Sequence, residues 1–423
     1  MFPLRGLAGL AAALALIGAS ALPGPYGLRF DSSIAHAQSR AKAKKEPPAG
    51  KQQPQGPAAR TAFTADEQAV AVIPGIPEAR VWGDSAAEFK RVLPTVRGPW
   101  LAMSGGGADG AFAAGVLAGW SQSGKRPEFA VVTGASIGAL ISPYAFLGPR
   151  YDAELKDAIT TINAAEIFED RPTRESFFDD WPLKQLIEKR VTAQLMAEVA
   201  AEHRRGRRLL AVTTNVDAGR RVIWNMGAIA EAGGEKGLKL FRDVLLASSS
   251  IPGFFPPVMI DVEANGRRFQ EMHLDGTITS PFFVAPEDYF ADDSNGPLPA
   301  SKLYIIANSR LTPDFEVPER STVSILGRLI SVVLKAELRG ELLLVASNAQ
   351  RFGVEIGVAT VSPDFQKPAR GFFDHPYMQA LFDHGFQRGS QGTAFETLSS
   401  ASADQLGPDR SGVTGSADQP RQR

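Results

Sequence analysis

Trp100-Leu101-Ala102-Met103-Ser104-Gly105-Gly106-Gly107 and, one helix later, Phe129-Ala130-Val131-Val132-Thr133-Gly134-Ala135-Ser136-Ile137-Gly138 decide the fold. Each is a short apolar run that ends in glycines. Behind the first, Phe112, Gly115, Val116, Gly119 and Trp120 recur at helical spacing, and behind the second the apolar stretch from Ala139 to Leu147 continues as a helix. Two strand-turn-helix units in succession require parallel strands. The expected architecture is therefore a three-layer α/β/α domain with a mostly parallel central sheet.

Working outward, residues 151–202 read as helical, with Leu183, Leu186, Ile187 and Val191 on one face, and the sheet resumes at Leu209–Thr214. Asn265-Gly266 lies between Val258-Met259-Ile260 and Phe269 and signals a hairpin, whose return strand leads to His273-Leu274-Asp275-Gly276. Leu303–Ala307 and Val354–Val361 read as further strands. Ser321–Gln350 reads as helix, with breaks expected at Gly327 and Gly340. No internal repeat occurs and no linker cuts this region, so residues 65–397 are expected to form one domain.

The ends are different in kind. Arg5, an apolar run from Leu7 to Leu22 and then Ala35-His36-Ala37 make residues 1–37 read as a secretory signal, too short in its apolar part to span a bilayer permanently. Residues 38–64 read as a disordered linker, because Gln38–Arg60 holds four Pro, four Gln and six Lys or Arg against one acidic residue. Residues 398–423, rich in Ser, Gly, Asp and Gln, read as a disordered tail. Export to a bacterial periplasm, envelope or exterior is the expected address, with no transmembrane anchor.

Composition narrows the chemistry. The 423 residues carry 45 Lys plus Arg against 46 Asp plus Glu, which disfavours a nucleic-acid binder. No cysteine is present, so disulfides, thiolate metal sites and cysteine nucleophiles are excluded, and five histidines are thin material for an imidazole metal site. Neither metal nor cofactor is expected. The run His203-Arg204-Arg205-Gly206-Arg207-Arg208 reads first as the junction of a helix end and a strand, and second as a contact for anionic headgroups.

Gly134-x-Ser136-x-Gly138 sets a serine on a sharp bend between strand and helix, where its hydroxyl is lifted clear as a nucleophile. Gly105, Gly106 and Gly107 end the preceding strand before a helix, so their amides are unshielded by side chains and suit an oxyanion. The same stretch, with Gly110, also spells the G-x-G-x-x-G of a dinucleotide site. Glu128, the acidic residue at the right distance, stands at the start of the next strand instead of its end, which speaks against that reading. The serine needs a base, and Asp275, at the carboxyl end of a strand and followed by Gly276, reaches the same sheet edge. An aspartate is a feeble base in water, so the site must be dry, with Phe282, Phe283 and Ile251–Phe255 as candidate walls. His375 and His384 follow Ser136 and Asp275 in the chain, and that order also permits a Ser-His-Asp esterase triad.

Taken in order, Ser104–Phe112, Gly134–Gly138, Ala247-Ser248-Ser249-Ser250-Ile251-Pro252-Gly253-Phe254-Phe255-Pro256-Pro257 and Asp275-Gly276 resemble the patatin-like phospholipases over about residues 98–290. The resemblance implies a patatin-like fold and hydrolysis of lipid or phospholipid acyl esters by a Ser136–Asp275 dyad, of phospholipase A or lysophospholipase type. Gly105, Gly106 and Gly107 would be the oxyanion donors. Two positions depart from the family pattern: Asp109 stands where a basic residue is usual, and Thr277 where Gly or Ala is usual. A neutral acyl ester is therefore a live alternative to a phospholipid. Transient contact with a membrane surface through Ile251–Pro257 fits this reading, whereas oligomeric state is not legible and residues after about 300 carry no assignable motif. The competing class is a non-catalytic envelope lipid-binding or assembly module that keeps the pocket without turnover.

Overall fold

The computed structural model describes residues 60–312, 315–352 and 354–398. The expected signal sequence over 1–37, the expected linker up to residue 59 and the expected tail from 399 onward lie outside the described residues. The described residues begin at Arg60, within the stretch expected as linker. Arg60 pairs with Asp217, Phe63 stacks on Phe269 at 4.3 Å, and Thr64 caps a short helix, Ala65–Ala69.

Both strand-turn-helix units are present. β1 is Arg80–Trp82; β2 (Gly98–Met103) leads through the glycine turn into α1 (Gly110–Gln122), and β3 (Val131–Ala135) leads into α2 (Ile137–Leu147). Helices α3 (Asp152–Thr160), α4 (Trp181–Arg190) and α5 (Ala193–Arg204) precede β4 (Arg208–Asn215). β5 (Arg220–Asn225) turns back against β4, and α6 (Gly234–Ser248) leads to the hairpin of β6 (Val258–Ala264) and β7 (Arg267–Asp275). Asn265 and Gly266 both have positive φ at its tip, as a tight hairpin turn requires. β8 (Ala300–Ala307), α7 (Thr322–Phe352), β9 (Ile356–Thr360), α8 (His375–Gln391) and the two-residue β10 (Glu396–Thr397) follow.

The sheet order is β1-β5-β4-β3-β2-β8-β9-β10. Its centre, β4-β3-β2-β8-β9, is parallel, and its flanks are antiparallel. Neighbouring residues along the strands face opposite layers. Leu101, Met103, Val132, Leu209 and Ala211 pack beneath α1, α2 and α8, whereas Trp100, Ala102, Val131, Leu210 and Val212 share a second core with Phe282, Phe283 and the Leu338–Ala346 part of α7. This is the expected mixed α/β architecture with helices on both faces.

Two expectations change. α7 runs unbroken through Gly327 and Gly340, because Leu338, Leu342, Val345 and Ala346 bury one side of it against the sheet and packing outweighs the roughly 1 kcal/mol cost of a helical glycine. The region after residue 300 also completes the fold around the site. α8 lies against α1 through reciprocal glycines: a Cβ on Gly115 or Gly119 would strike the carbonyls of Phe382 and Phe386, and one on Gly385 or Gly389 would strike those of Phe112 and Val116. Gly119→Leu should therefore force the helices apart and cost about 1–3 kcal/mol. The expected result is a melting temperature several degrees lower; an unchanged one would contradict the close packing.

Candidate active site

The site arises where two strands use the same edge of β4. β3 pairs with β4 up to Ala135↔Val212, and at the next residue β7 takes over, with Thr213↔Asp275. The end of β3 and the end of β7 thus meet, and the residues that follow or close them are Ser136 and Asp275. Their side chains, 139 positions apart in the chain, share a hydrogen bond of 2.7 Å in which Ser136 Oγ donates to Asp275 Oδ2.

Ser136 sits at φ 54°, ψ −127°, a region that costs a non-glycine residue about 1–3 kcal/mol. The surroundings enforce this bend. Ser136 N–H donates to Ser248 Oγ at 3.0 Å, and Ser248 Oγ–H donates to the Val212 carbonyl at 2.7 Å. Side chains on Gly134, Gly138 or Gly276 would collide with the backbone of residues 138–139, 103–104 and 212, and one on Gly110 with Ile137. These motif glycines are the places where strands and turns touch. The Ala247–Ser250 segment joins both residues, since the Ser250 carbonyl accepts the Asp275 N–H at 2.9 Å.

Asp275 is 1% exposed, and burial pushes its carboxyl up to about 6, against hydrogen bonds from Thr277 and Ser136 that favour the ionised form. Thr277 donates twice to Oδ1, from its amide at 2.8 Å and its hydroxyl at 2.6 Å. Phe282 and Phe283 are fully buried in the core behind the strands, and Phe255 reaches the pocket wall.

The three loop glycines do not play equal parts. Gly105 N–H is spent on the Pro281 carbonyl at 3.2 Å, because the chain doubles back beside the loop after Thr277, so the expected set of three oxyanion donors is reduced. Gly106 and Gly107 take φ values of 149° and 55°, and Gly107 lines the pocket with Ser136. Asn308, fully buried, holds the loop in place: its N–H donates to Ser104 Oγ at 2.8 Å, its Nδ2 to the Ser104 carbonyl at 2.8 Å, and its Oδ1 accepts from Ala113 N–H at 3.2 Å. Sequence reasoning missed this residue. The available signal was a polar side chain directly after the apolar strand Leu303–Ala307, at the carboxyl end of a strand parallel to β2.

The histidines stand apart. His384 packs against Phe112 and Phe365 at ring distances of 6.3 and 5.3 Å, His375 opens α8, and neither hydrogen-bonds to Ser136 or Asp275 among the described residues. Asp109 accepts a hydrogen bond of 2.6 Å from the Tyr377 hydroxyl, which ties the start of α1 to α8. Burial, and then Asp109, push the Tyr377 phenol far up, so it remains a donor. On β7, His273 is fully buried between Thr213 (2.9 Å at Nδ1) and Glu271 (3.3 Å at Nε2), and Glu271 is paired with Arg80. The Glu271 carboxylate can only accept, so the imidazole donates from Nε2, and a neutral ring then accepts at Nδ1 from the Thr213 hydroxyl, whose oxygen accepts from Trp224 Nε1–H at 2.7 Å. Burial holds His273 below its ordinary value, in keeping with a neutral ring. The basic run is a junction: Arg207 is buried on the carbonyls of Phe129 and Phe146 and on Glu202.

An apolar cavity of about 870 Å³, its open mouth included, starts at Ser136 and Gly107 and passes between α2, α3 and α4, with Leu140, Ile159, Leu183, Ile187 and Leu245 in its walls. Among the described residues no cluster of three His, Asp or Glu side chains is placed to hold a metal ion, and no helix is long and apolar enough to cross a membrane.

A serine held on a strained bend against a buried carboxylate, beside open loop amides and an apolar cavity, is the equipment of an acyl hydrolase. The sequence model of the patatin-like phospholipase family matches residues 101–287, which identifies this stretch as a patatin-like phospholipase domain. That family is one of lipid acyl hydrolases, and this is the class of enzyme to which the domain belongs. No curated protein sequence matches the chain. Among solved structures, VipD from Legionella pneumophila shares 12% identity over 72% of this chain and 68% of that one, with a TM-score of 0.36.

If Asn308 fixes the loop, Asn308→Ala should lower kcat about 10- to 100-fold through misplaced donors, with a smaller change in KM. An unchanged kcat would show that the loop keeps its shape without Asn308.

Proposed function

We propose that the protein is an exported serine hydrolase that cleaves carboxylic ester bonds of lipids, of phospholipase A or lysophospholipase type, through a Ser136–Asp275 dyad. The observation that carries the proposal is the direct 2.7 Å hydrogen bond from the serine hydroxyl to a buried carboxylate at the head of an apolar cavity. A carboxylate whose pKa lies near 6 is ionised at neutral pH, yet far more basic than an aspartate in water.

In the first step Ser136 Oγ attacks the acyl carbonyl as its proton passes to Asp275 Oδ2. The carbonyl oxygen becomes an oxyanion held by the Gly106 and Gly107 amides. The intermediate collapses, the ester C–O bond breaks, and Asp275 returns the proton to the departing alkoxide. Water then attacks the acyl-Ser136 with Asp275 again as base, and the fatty acid leaves. The acyl chain lies along Leu140, Ile159 and Leu183, which favours lipid esters over small polar ones.

An aromatic group beside the cavity supports action at a lipid surface. Ile251, Phe255 and Phe373 line the cavity, and Phe168, Phe178, Phe254 and Phe372 form a linked aromatic group in which Phe372 is 59% exposed. Export rests on the leader-like residues 1–37 and on the absence of cysteine.

A fluorophosphonate probe should label the wild type at Ser136 and spare Ser136→Ala; folded wild type that stays unlabelled would favour a lipid-binding module. On the acid side kcat/KM should fall as pH drops through about 6, because protonating Asp275 removes the base. A limb near pH 4 would mean that the carboxyl is not buried in solution. Phe372→Asp should reduce hydrolysis of vesicle lipid several-fold more than hydrolysis of a soluble short-chain ester, and equal losses on both would contradict the surface role.

A further inference from the structure

Thr277 touches both halves of the site. Its hydroxyl donates to Asp275 Oδ1 at 2.6 Å and its amide to the same oxygen at 2.8 Å, so Oδ1 is filled by two donors and Oδ2 is left to Ser136 alone. Its methyl lies on the other side, over Gly105, in the space that a side chain at position 105 would occupy. Both residues are buried. A glycine or alanine at 277 would supply the amide contact only.

We propose that Thr277 is a positioning residue: its hydroxyl fixes which carboxyl oxygen of Asp275 takes the proton of Ser136, and its methyl seats the oxyanion loop beside that base. The inference rests on the dyad proposed above. With Oδ1 saturated, rotation about the Asp275 side chain that would exchange the two oxygens breaks two hydrogen bonds at once. The proton from Ser136 therefore arrives on Oδ2, the oxygen that meets Ser136 Oγ, and from there it returns to the leaving alkoxide.

The same contact sets how readily the base is ionised. A hydrogen bond donated to a carboxylate favours its charged form, and here it opposes the effect of burial. The other groups around Asp275 are uncharged: the Ser136 hydroxyl on its carboxyl, and on its backbone the Thr214 hydroxyl, the Ser250 carbonyl and the paired Thr213 of β4. On β7 itself the nearest ionisable side chains are His273 and Glu271, and these are engaged with Thr213 and Arg80. The Thr277 hydroxyl is therefore the side-chain donor whose loss should register most clearly in the titration of Asp275.

The test compares Thr277→Val, which keeps the bulk and the methyl, with Thr277→Ser, which keeps the hydroxyl, on the full chain with a soluble ester over a range of pH. Thr277→Val should move the acid limb of kcat/KM upward by about one pH unit, as expected for loss of a hydrogen bond to a charged group. Thr277→Ser should leave the limb at its wild-type position while lowering the plateau kcat, because the methyl no longer seats the loop. Should the Val protein fail to fold, Thr277→Ala carries the same limb prediction. A Val or Ala variant with the wild-type limb, or a Ser variant displaced as far as Val, would overturn the inference while the dyad stands. A wild type inert towards both ester and fluorophosphonate would overturn the dyad, and this inference with it.

Discussion

One edge of one strand governs this molecule. β4 offers the same side to β3 up to Val212 and to β7 from Thr213 onward, and that change of partner brings the end of each strand to the other. Everything the site needs follows from this abutment. The serine must leave β3 at once, which puts it on a strained bend. The aspartate must close β7 inside the protein, which strips it of water. The Ala247–Ser250 segment, lying across the junction, supplies Ser248 to one and a carbonyl to the other. The arrangement tolerates almost no bulk, which is why glycine stands at 134, 138 and 276.

Burying a carboxylate is costly unless its oxygens are satisfied. Here each oxygen has a donor, and the residual penalty appears as raised basicity, which at neutral pH is also stability the fold gives up. The strain at Ser136 and the desolvation of Asp275 are thus two costs borne by the same scaffold, and both suit the proposed roles of nucleophile and base. The buried relay from Trp224 through Thr213 and His273 to Glu271 and Arg80 anchors β7 directly behind its last residue. It links β7 to β1 at the sheet's far edge, outside the stretch that the family model covers.

Much of this was legible in the sequence, and the illegible parts share a cause. The two glycine-terminated strands, the Asn265-Gly266 hairpin and the serine and aspartate at strand ends are local signals, each carried by a few adjacent residues. β5 escaped notice because Arg220 and Arg221 mask a strand whose apolar part is only Val222-Ile223-Trp224. Gly327 and Gly340 look like helix breaks in isolation, and only the burial of one face of α7 reveals why they are not. Asn308 and the spent amide of Gly105 are invisible for a deeper reason: each depends on a partner about 170 to 200 residues away, Ser104 in one case and Pro281 in the other. Asp109 and Thr277, departures from the family pattern when read as letters, become intelligible once Tyr377 and Asp275 are seen beside them.

The crystal structure of the phosphonylated protein tests the central claim most directly, since the adduct imitates the tetrahedral intermediate. The account predicts phosphorus bonded to Ser136 Oγ, its phosphoryl oxygen within about 3 Å of the Gly106 and Gly107 amides, and Asp275 the nearest ionisable side chain. A phosphoryl oxygen turned away from the glycine loop, or a histidine standing between Ser136 and Asp275, would contradict it.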